Sequence, residues 1–454
     1  MQKTATTYLP EISRRRAFAD APRMIKNPIE IFDEYTALAG DTYIFHFGGV
    51  KKAIVSSNPK FIQHVLKTNY ENYHKSDIQL KRMGQFLGNG LLTSHGKYWL
   101  TQRRLIQQAF HKDQLAALIF IMQEVLDKSI AGLEDEMNAG AIDIYTEMMK
   151  ITFRMATRSL FSTSLSEEEL DTISNGISTI QKFMVKQIVQ PFLNPWFRAS
   201  GILRKYNNMR FRSDKIIFDY IIKRRADKDR KYNDLLQILF DARYEDGEGM
   251  NDLQVLSESM QLLVAGHETS SNAISWTLYL LCKHPESIKK IREEISTELG
   301  NAPMQFTDIP KLQYTTQVIE ESLRLYPPFW LIDREASEPD NIMGINIPKG
   351  TMVISYIYGL HHSANYWDNP EEFIPERFSK ENKKLHQPFT HLPFGGGPRG
   401  CIGGNYAMMQ ILVILVTLLR KFNFDLMPDK KIGKLPMIIL RPKDGIKMRF
   451  TKLT

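Results

Sequence analysis

Residues 252 to 284 contain no proline and keep apolar residues at helical spacing until Pro285 stops the run. As one α-helix this stretch would be about 50 Å long, well beyond the diameter of a small domain. Such a helix needs a large body around it. Apolar residues at helical spacing from about 59 to 327, with short loops between, predict that body. Strand signals lie outside it. Residues 43–47 and 52–55 flank Gly48-Gly49 as a hairpin, and β-branched residues with a Pro348-Lys349-Gly350 turn mark about 342–358. The C-terminal end reads as further short strands.

No Pro/Gly/Ser-rich linker, charge block or repeat divides the 454 residues, so one domain is expected over 1–454. It has a small β-rich N-terminal part at about 40–58, a helical body at about 59–327, and a mixed β and cysteine-loop region at about 328–454. The expected class is mainly α with small β-sheets. The net charge of +8 comes from scattered basic residues, which argues against a nucleic-acid stripe. The clusters Arg14-Arg15-Arg16, Lys223-Arg224-Arg225 and Lys383-Lys384 read as solvated surface, or as contacts for an acidic protein partner. The N-terminus from Met1 to Tyr8 has no apolar core. The strongest apolar run, 411–419, is about half of what a bilayer span requires and reads as a core helix. No membrane anchor and a cytoplasmic location are expected. Two cysteines, Cys282 and Cys401, exclude a disulfide framework and suit a reducing compartment.

Cys401 stands in Phe394-Gly395-Gly396-Gly397-Pro398-Arg399-Gly400-Cys401-Ile402-Gly403, a glycine-rich loop opening onto an apolar helix. Backbone amides without side chains in the way, and the positive end of a helix, favour an ionised sulfur able to hold a metal. Two alternatives exist. Gly395-x-Gly397-x-x-Gly400 with Asp425 formally matches a dinucleotide fingerprint, but no good strand precedes it, Pro398 removes an amide, and too little chain follows. The loop also fits a plain buried cysteine beside a glycine turn. His267-Glu268 lacks the second histidine of a zinc motif, since Ser271 stands there, and His361-His362 diverge on any regular element, so neither is assigned to metal. Cys282 reads as a small buried hydrophobe.

The spacing Phe394-x-x-Gly397-x-Arg399-x-Cys401-x-Gly403 resembles the cysteine loop of the cytochrome P-450 family, the haem-thiolate monooxygenases. Four more stretches resemble the family in order: Trp99-x-x-x-Arg103, Ala265-Gly266-His267-Glu268-Thr269-Ser270, Glu321-Ser322-Leu323-Arg324, and Pro375-Glu376-Arg377-Phe378. The resemblance implies the cytochrome P-450 fold, with haem b between the long central helix and the cysteine-loop helix. It implies Cys401 as the axial ligand of the haem iron, with Phe394 and Gly403 shaping the loop. Trp99, Arg103, Arg334 and Arg399 would serve the propionates, for which a guanidinium is a forked, permanently charged donor. Glu321, Arg324 and Arg377 would form a bracing charge network. Without that context, Glu321 and Arg324 at i,i+3 read as a surface pair.

Thr269 sits mid-helix, where its hydroxyl either bonds back to the preceding turn or, as the resemblance implies, works with Glu268 to deliver protons to dioxygen. The implied reaction inserts one oxygen atom from dioxygen into a C–H bond, giving hydroxylation, or O-demethylation where the carbon bears an ether oxygen. A peroxide-using or isomerising haem-thiolate enzyme is the alternative, and a non-catalytic binding protein a second. Two cysteines cannot hold an iron–sulfur cluster. Electrons are therefore expected from a ferredoxin or flavodoxin with its NAD(P)H-dependent reductase, docking on Arg104, Lys112, Lys380, Lys383 and Lys384. Matching positions put Leu92, Ala265, Phe329 and Trp330 at the substrate, Trp330 standing where the family very often has proline. Aromatic walls suit a fatty chain, a terpenoid or steroid, or an oxygenated, sugar-like ring. Residues 183–206, with Lys186, Gln187, Gln190, Trp196 and Arg198, are expected in the roof.

Overall fold

The computed structural model describes residues 8–453 except 48, 163–164, 228–231, 233 and 429–431. Gly48 of the expected hairpin turn and the start of the N-terminal reading therefore lie outside the described residues. The chain forms two compact units, each assembled from separate segments. The first takes the chain up to Ser76, then Thr316–Cys401 and Gly433–Lys443; the second takes Asp77–Thr315, Ile402–Ile432 and Asp444 onward. Interleaving of this kind leaves no linker for a sequence to reveal.

Among the described residues, the main sheet of the first unit runs Thr42–Phe47, Lys51–Ser56, Met352–Ser355, Ile332–Ala336, Tyr73–His74. The expected hairpin is present, with Tyr43 opposite Val55 and Phe45 opposite Ala53. The next pairing is parallel, Ile54 beside Val353, so the crossover between these strands is the whole helical body. Met352–Ser355 is buried at every position, as a strand covered on both faces must be. Ile54, Phe61, Val65, Val353, Ile357 and Leu392 share the apolar core beneath it. A second aromatic layer centres on Phe32, whose ring lies 5.8 Å from Phe45, 5.2 Å from Tyr356 and 6.1 Å from Trp330.

The second unit is helical. Its long helix spans Asp252–Lys283; the Asn251 side chain accepts from Gln254 N–H at 2.9 Å to start it, and Pro285 opens the next helix. Beside it pack Lys112–Ala139, Ile144–Phe161, Glu167–Val189, Ile202–Ala226 and Gly404–Lys421. From Ser270 to Leu281 the central helix is buried all round although it carries Ser270, Ser271, Asn272, Ser275 and Thr277. Ser275 and Thr277 satisfy their hydroxyls on carbonyls one turn back, at 2.6 and 2.7 Å, and Asn272 Nδ2 donates to Glu268 O at 2.8 Å. The apolar run 411–419 lies inside Gly404–Lys421 and is mostly buried, as a core helix should be. Among the described residues no helix is long and apolar enough to cross a membrane. Cys282 is half-buried, short of the full burial expected, and desolvation pushes its thiol up to about 12, which keeps it protonated and inert.

Candidate functional site

In the first unit the cysteine loop is shaped by backbone geometry that only glycine accepts cheaply. Gly395 and Gly397 have φ of +71° and +68°. A Cβ added at Gly397 would stand 1.9 Å from Leu66 O and 3.0 Å from Lys67 Cα, backbone of the π-helical turn His64–Thr68. Cys401 N–H donates to Phe394 O at 2.8 Å and Gly400 N–H to Gly397 O at 3.0 Å, closing the loop and leaving the thiol exposed. The turn is itself anchored. Asp340 Oδ2 bonds His64 Nε2, Asn69 Nδ2 and Tyr73 Oη at 2.8, 3.0 and 2.9 Å. Gly397→Ala should therefore cost at least about 2 kcal/mol, from overpacking and left-handed backbone together. Thermal melting would show the loss. Gly132→Ala, on an exposed helix face with nothing within 4 Å, should instead raise stability slightly.

Glu321 and Arg324 are both fully buried. Arg324 Nε and Nη2 donate to Glu321 Oε2 and Oε1 at 2.7 and 2.8 Å. Nη1 donates to the carbonyls of His361 and Pro370, each at 2.7 Å, and Nη2 also to Glu372 O at 3.0 Å. All five guanidinium donors thus have acceptors. Arg377 Nε reaches Glu321 Oε1 at 3.3 Å, and Ile374 N–H reaches the same oxygen at 3.0 Å. The i,i+3 pair is therefore a buried network and not a surface pair.

His361 carries this network to the cysteine loop. Leu392 N–H donates to its Nε2 at 2.9 Å, so the proton sits on Nδ1, which donates to Arg324 O at 3.2 Å. Burial holds its pKa well below the usual range, and the ring stays neutral. The sequence reading assigned His361 to no metal and had no signal for this bridge, because its partners lie 37 positions upstream and 31 downstream.

The same unit gathers cations. Arg334 is 7% exposed and donates to the Asp333 carbonyl at 2.7 Å. Burial lowers its pKa, opposed by Asp333. Arg399 is pushed down to about 10, first by burial and then by the positive charge of Arg334. Tyr73 pairs with Ala336 and His74 with Glu335; continuing that register sets the buried Lys75 opposite Arg334, and the Ser76 hydroxyl donates to Asp333. Lys75 was missed in the sequence, where nothing marks a lone lysine as buried. Cations drawn out of water this close together are an environment that favours a bound anion. Trp330 is 5% exposed, its Nε1–H donating to Met437 O at 2.9 Å, so its aromatic faces meet the core layer while Phe329 beside it is exposed.

In the second unit the helix Gly96–Gln107 places Trp99, which is buried, and Arg103 one turn apart on one face. Arg104 is exposed and lies 3.6 Å from Glu245. On the central helix, Glu268 is buried and the Thr269 hydroxyl donates to Ala265 O at 2.7 Å, the back-bonded geometry. Between Glu258 and Leu281 nearly every position is buried, except that Leu262, Ala265, Gly266 and Thr269, with Val264 beside them, remain half-open. The four fall at i, i+3, i+4 and i+7, a single strip. Leu92 is also half-buried, and Gly403 lies near Phe110, 3.5 Å from an added Cβ.

A family model described as cytochrome P-450 matches residues 19–450. The chain is 28% identical to a pentalenene oxygenase of Streptomyces avermitilis over 95% of this chain and 94% of that one. It is 31% identical to a cyclooctat-9-en-7-ol 5-monooxygenase of Streptomyces melanosporofaciens, covering 86% of each. It is also 29% identical to an ultra-long-chain fatty acid omega-hydroxylase of Homo sapiens, over 89% of this chain and 80% of that one.

Proposed function

The chain belongs to the cytochrome P-450 family of monooxygenases, and from that premise we propose that it hydroxylates an unactivated C–H bond of an apolar terpenoid or fatty-chain substrate, with haem b as its cofactor. The observation that carries the reading is the half-open strip Leu262, Ala265, Gly266 and Thr269, small or apolar residues ending on one hydroxyl, in a helix otherwise covered. Pentalenene, cyclooctat-9-en-7-ol and an ultra-long-chain fatty acid stand in the names of its relatives. O-demethylation follows from the same insertion where the attacked carbon bears an ether oxygen.

The residues fit a haem. The exposed Cys401 thiol, in a loop turned by left-handed glycines, would suit a thiolate ligand for the iron. Arg334, buried, and Arg399, half-buried and depressed by its neighbour's charge, suit the propionates. When bound, the haem supplies dioxygen activation and C–H oxidation. The chain would manage the protons: with its hydrogen on Ala265 O, Thr269 Oγ1 can accept a hydrogen bond and so hold a proton donor at the strip, and the buried Glu268 carboxyl, one position earlier, would relay the protons.

Electrons come from a ferredoxin or flavodoxin with its NAD(P)H-dependent reductase. Lys380 and Lys384 are exposed on the first unit and Arg104 and Lys112 on the second, while Lys383 is held by Glu320 at 2.5 Å. Each unit's exposed cations by themselves suit an acidic carrier. Phe183 stacks on Tyr206 at 3.9 Å, and Gln187 is buried while Lys186, Trp196 and Arg198 are exposed, so the roof's charges face water.

The test reconstitutes the holoenzyme with such a carrier, a terpene or fatty-acid panel and dioxygen. Product carrying one added oxygen atom, dependent on both dioxygen and donor, is the expected result. Turnover on hydrogen peroxide alone, or isomerisation without oxygen uptake, would overturn the reading. Thr269→Ala should keep consuming dioxygen but release peroxide. Product per electron should fall on the order of a hundredfold, the lower end of what proton-transfer catalysis contributes.

A further inference from the structure

The loop carrying Leu92 is fastened to the central helix by side chains the chemistry does not use. Gln261 Oε1 accepts from Leu92 N–H at 2.7 Å, and Glu258 Oε2 accepts from Leu91 N–H at 3.0 Å. Gln261 Nε2 donates to Leu87 O at 3.1 Å and to Thr93 Oγ1 at 3.0 Å. Thr93 Oγ1 in turn accepts from Gly90 N–H at 3.1 Å and donates to Gly88 O at 2.6 Å. Glu258 and Gln261 are 0% and 2% exposed. Side chains so buried are tolerated only because their hydrogen bonds are made.

The loop sequence is cut to fit this helix face. A Cβ on Gly90 would stand 2.8 Å from Gln261 Nε2, and one on Gly88, already at φ +73°, would stand 2.6 Å from Ser257 Oγ. A third element joins in, since Arg210 Nη1 donates to Gln85 O at 2.5 Å. Residues 258, 261 and 265 follow one helix face at steps of three and four. The main chain of Leu91 is thereby tied two turns, and that of Leu92 one turn, before Ala265, the residue that accepts from Thr269.

We infer that Glu258 and Gln261 are positioning residues that latch the 87–93 loop to the central helix and so hold Leu92 as a fixed wall beside the half-open strip, making substrate choice a property of a preorganised surface. This rests on the haem-thiolate monooxygenase reading. The wall is set before the substrate arrives, so selectivity for ligand shape depends on Gln261 although Gln261 touches no ligand.

The test uses the holoenzyme, with imidazole as a small probe and 4-phenylimidazole as a bulky one, each read by the shift of the haem absorption band. Gln261→Leu keeps side-chain volume and removes every latch bond to residue 261. Amide exchange at residues 88–93 should rise about tenfold or more, the equivalent of one or two lost hydrogen bonds, with the rest of the central helix still protected. The ratio of 4-phenylimidazole to imidazole affinity should move by a similar factor, about tenfold, with imidazole affinity alone held.

Gln261→Glu keeps the acceptor for Leu92 N–H and should recover much of the wild-type ratio. If Gln261→Leu does not fold, Gln261→Glu and Glu258→Gln carry the same comparison, with smaller shifts in the same direction. Faster exchange with an unchanged affinity ratio would make the latch merely structural; unchanged exchange would remove it altogether. A wild-type holoprotein lacking a thiolate-type carbon monoxide band would overturn the haem-thiolate reading instead, and that outcome is distinct from both.

Discussion

Arg324→Ala is expected to yield protein that melts far below the wild type and is recovered without haem. Arg324 spends all five donors inside the first unit, on Glu321 and on the carbonyls of His361, Pro370 and Glu372. Removing it leaves the fully buried Glu321 carboxylate with only Arg377, at 3.3 Å, to offset its charge. Breaking a buried pair from one side costs about 3–5 kcal/mol, a large share of the roughly 5–15 kcal/mol that holds a typical domain folded. The loss extends to the cysteine loop, because Arg324 O orients His361 and His361 Nε2 holds Leu392 N–H. Arg324→Lys should rescue little, since an ammonium has three donors and no fork. Denaturant melts and haem content per chain provide the check. A variant within about 1 kcal/mol of wild type would show that the network does not brace the unit.

Cys401→Ser is expected to do the opposite, sparing the fold and abolishing the chemistry. The loop is closed by main-chain bonds, Cys401 N–H to Phe394 O and Gly400 N–H to Gly397 O, neither of which involves the sulfur. The side chain is exposed and serine differs from cysteine by one atom, so the exchange disturbs the core little. A serine hydroxyl is a far weaker acid than a thiol, so the anionic sulfur donor disappears. The expected variant melts like the wild type, shows no thiolate-type band in the carbon monoxide difference spectrum of its reduced form, and turns over no substrate. Retained spectra and turnover would mean that Cys401 is not the ligand. Together the two variants separate stability from chemistry.

Where sequence reading succeeded, it relied on contacts that are local or carried by rare residues. Thr269 illustrates its limit. Both readings of its hydroxyl were available, and the structure shows the bond to Ala265 O, which the helix imposes on a mid-helix threonine. Trp330 illustrates another. Its aromatic surface suggested a wall for substrate, yet Phe32, Tyr356 and the Met437 carbonyl receive it, partners drawn from both ends of the chain. Nothing in the sequence marks Glu258 and Gln261 as buried. Only the fold shows that they are buried beneath a glycine loop some 170 positions upstream.

The order of elements, the long proline-free helix, the hairpin near the N-terminus and the cysteine in its glycine turn were determined by the sequence alone. Each depends on periodicity, capping and backbone freedom within a few residues. Division into interleaved units, the parallel pairing of Ile54 with Val353, burial of the Glu321–Arg324 pair and the tie from His361 to the cysteine loop were decided only by tertiary structure. The reason is physical: a charge or amide is costly or harmless according to what excludes water from it, and here the excluding groups come from distant segments of the chain.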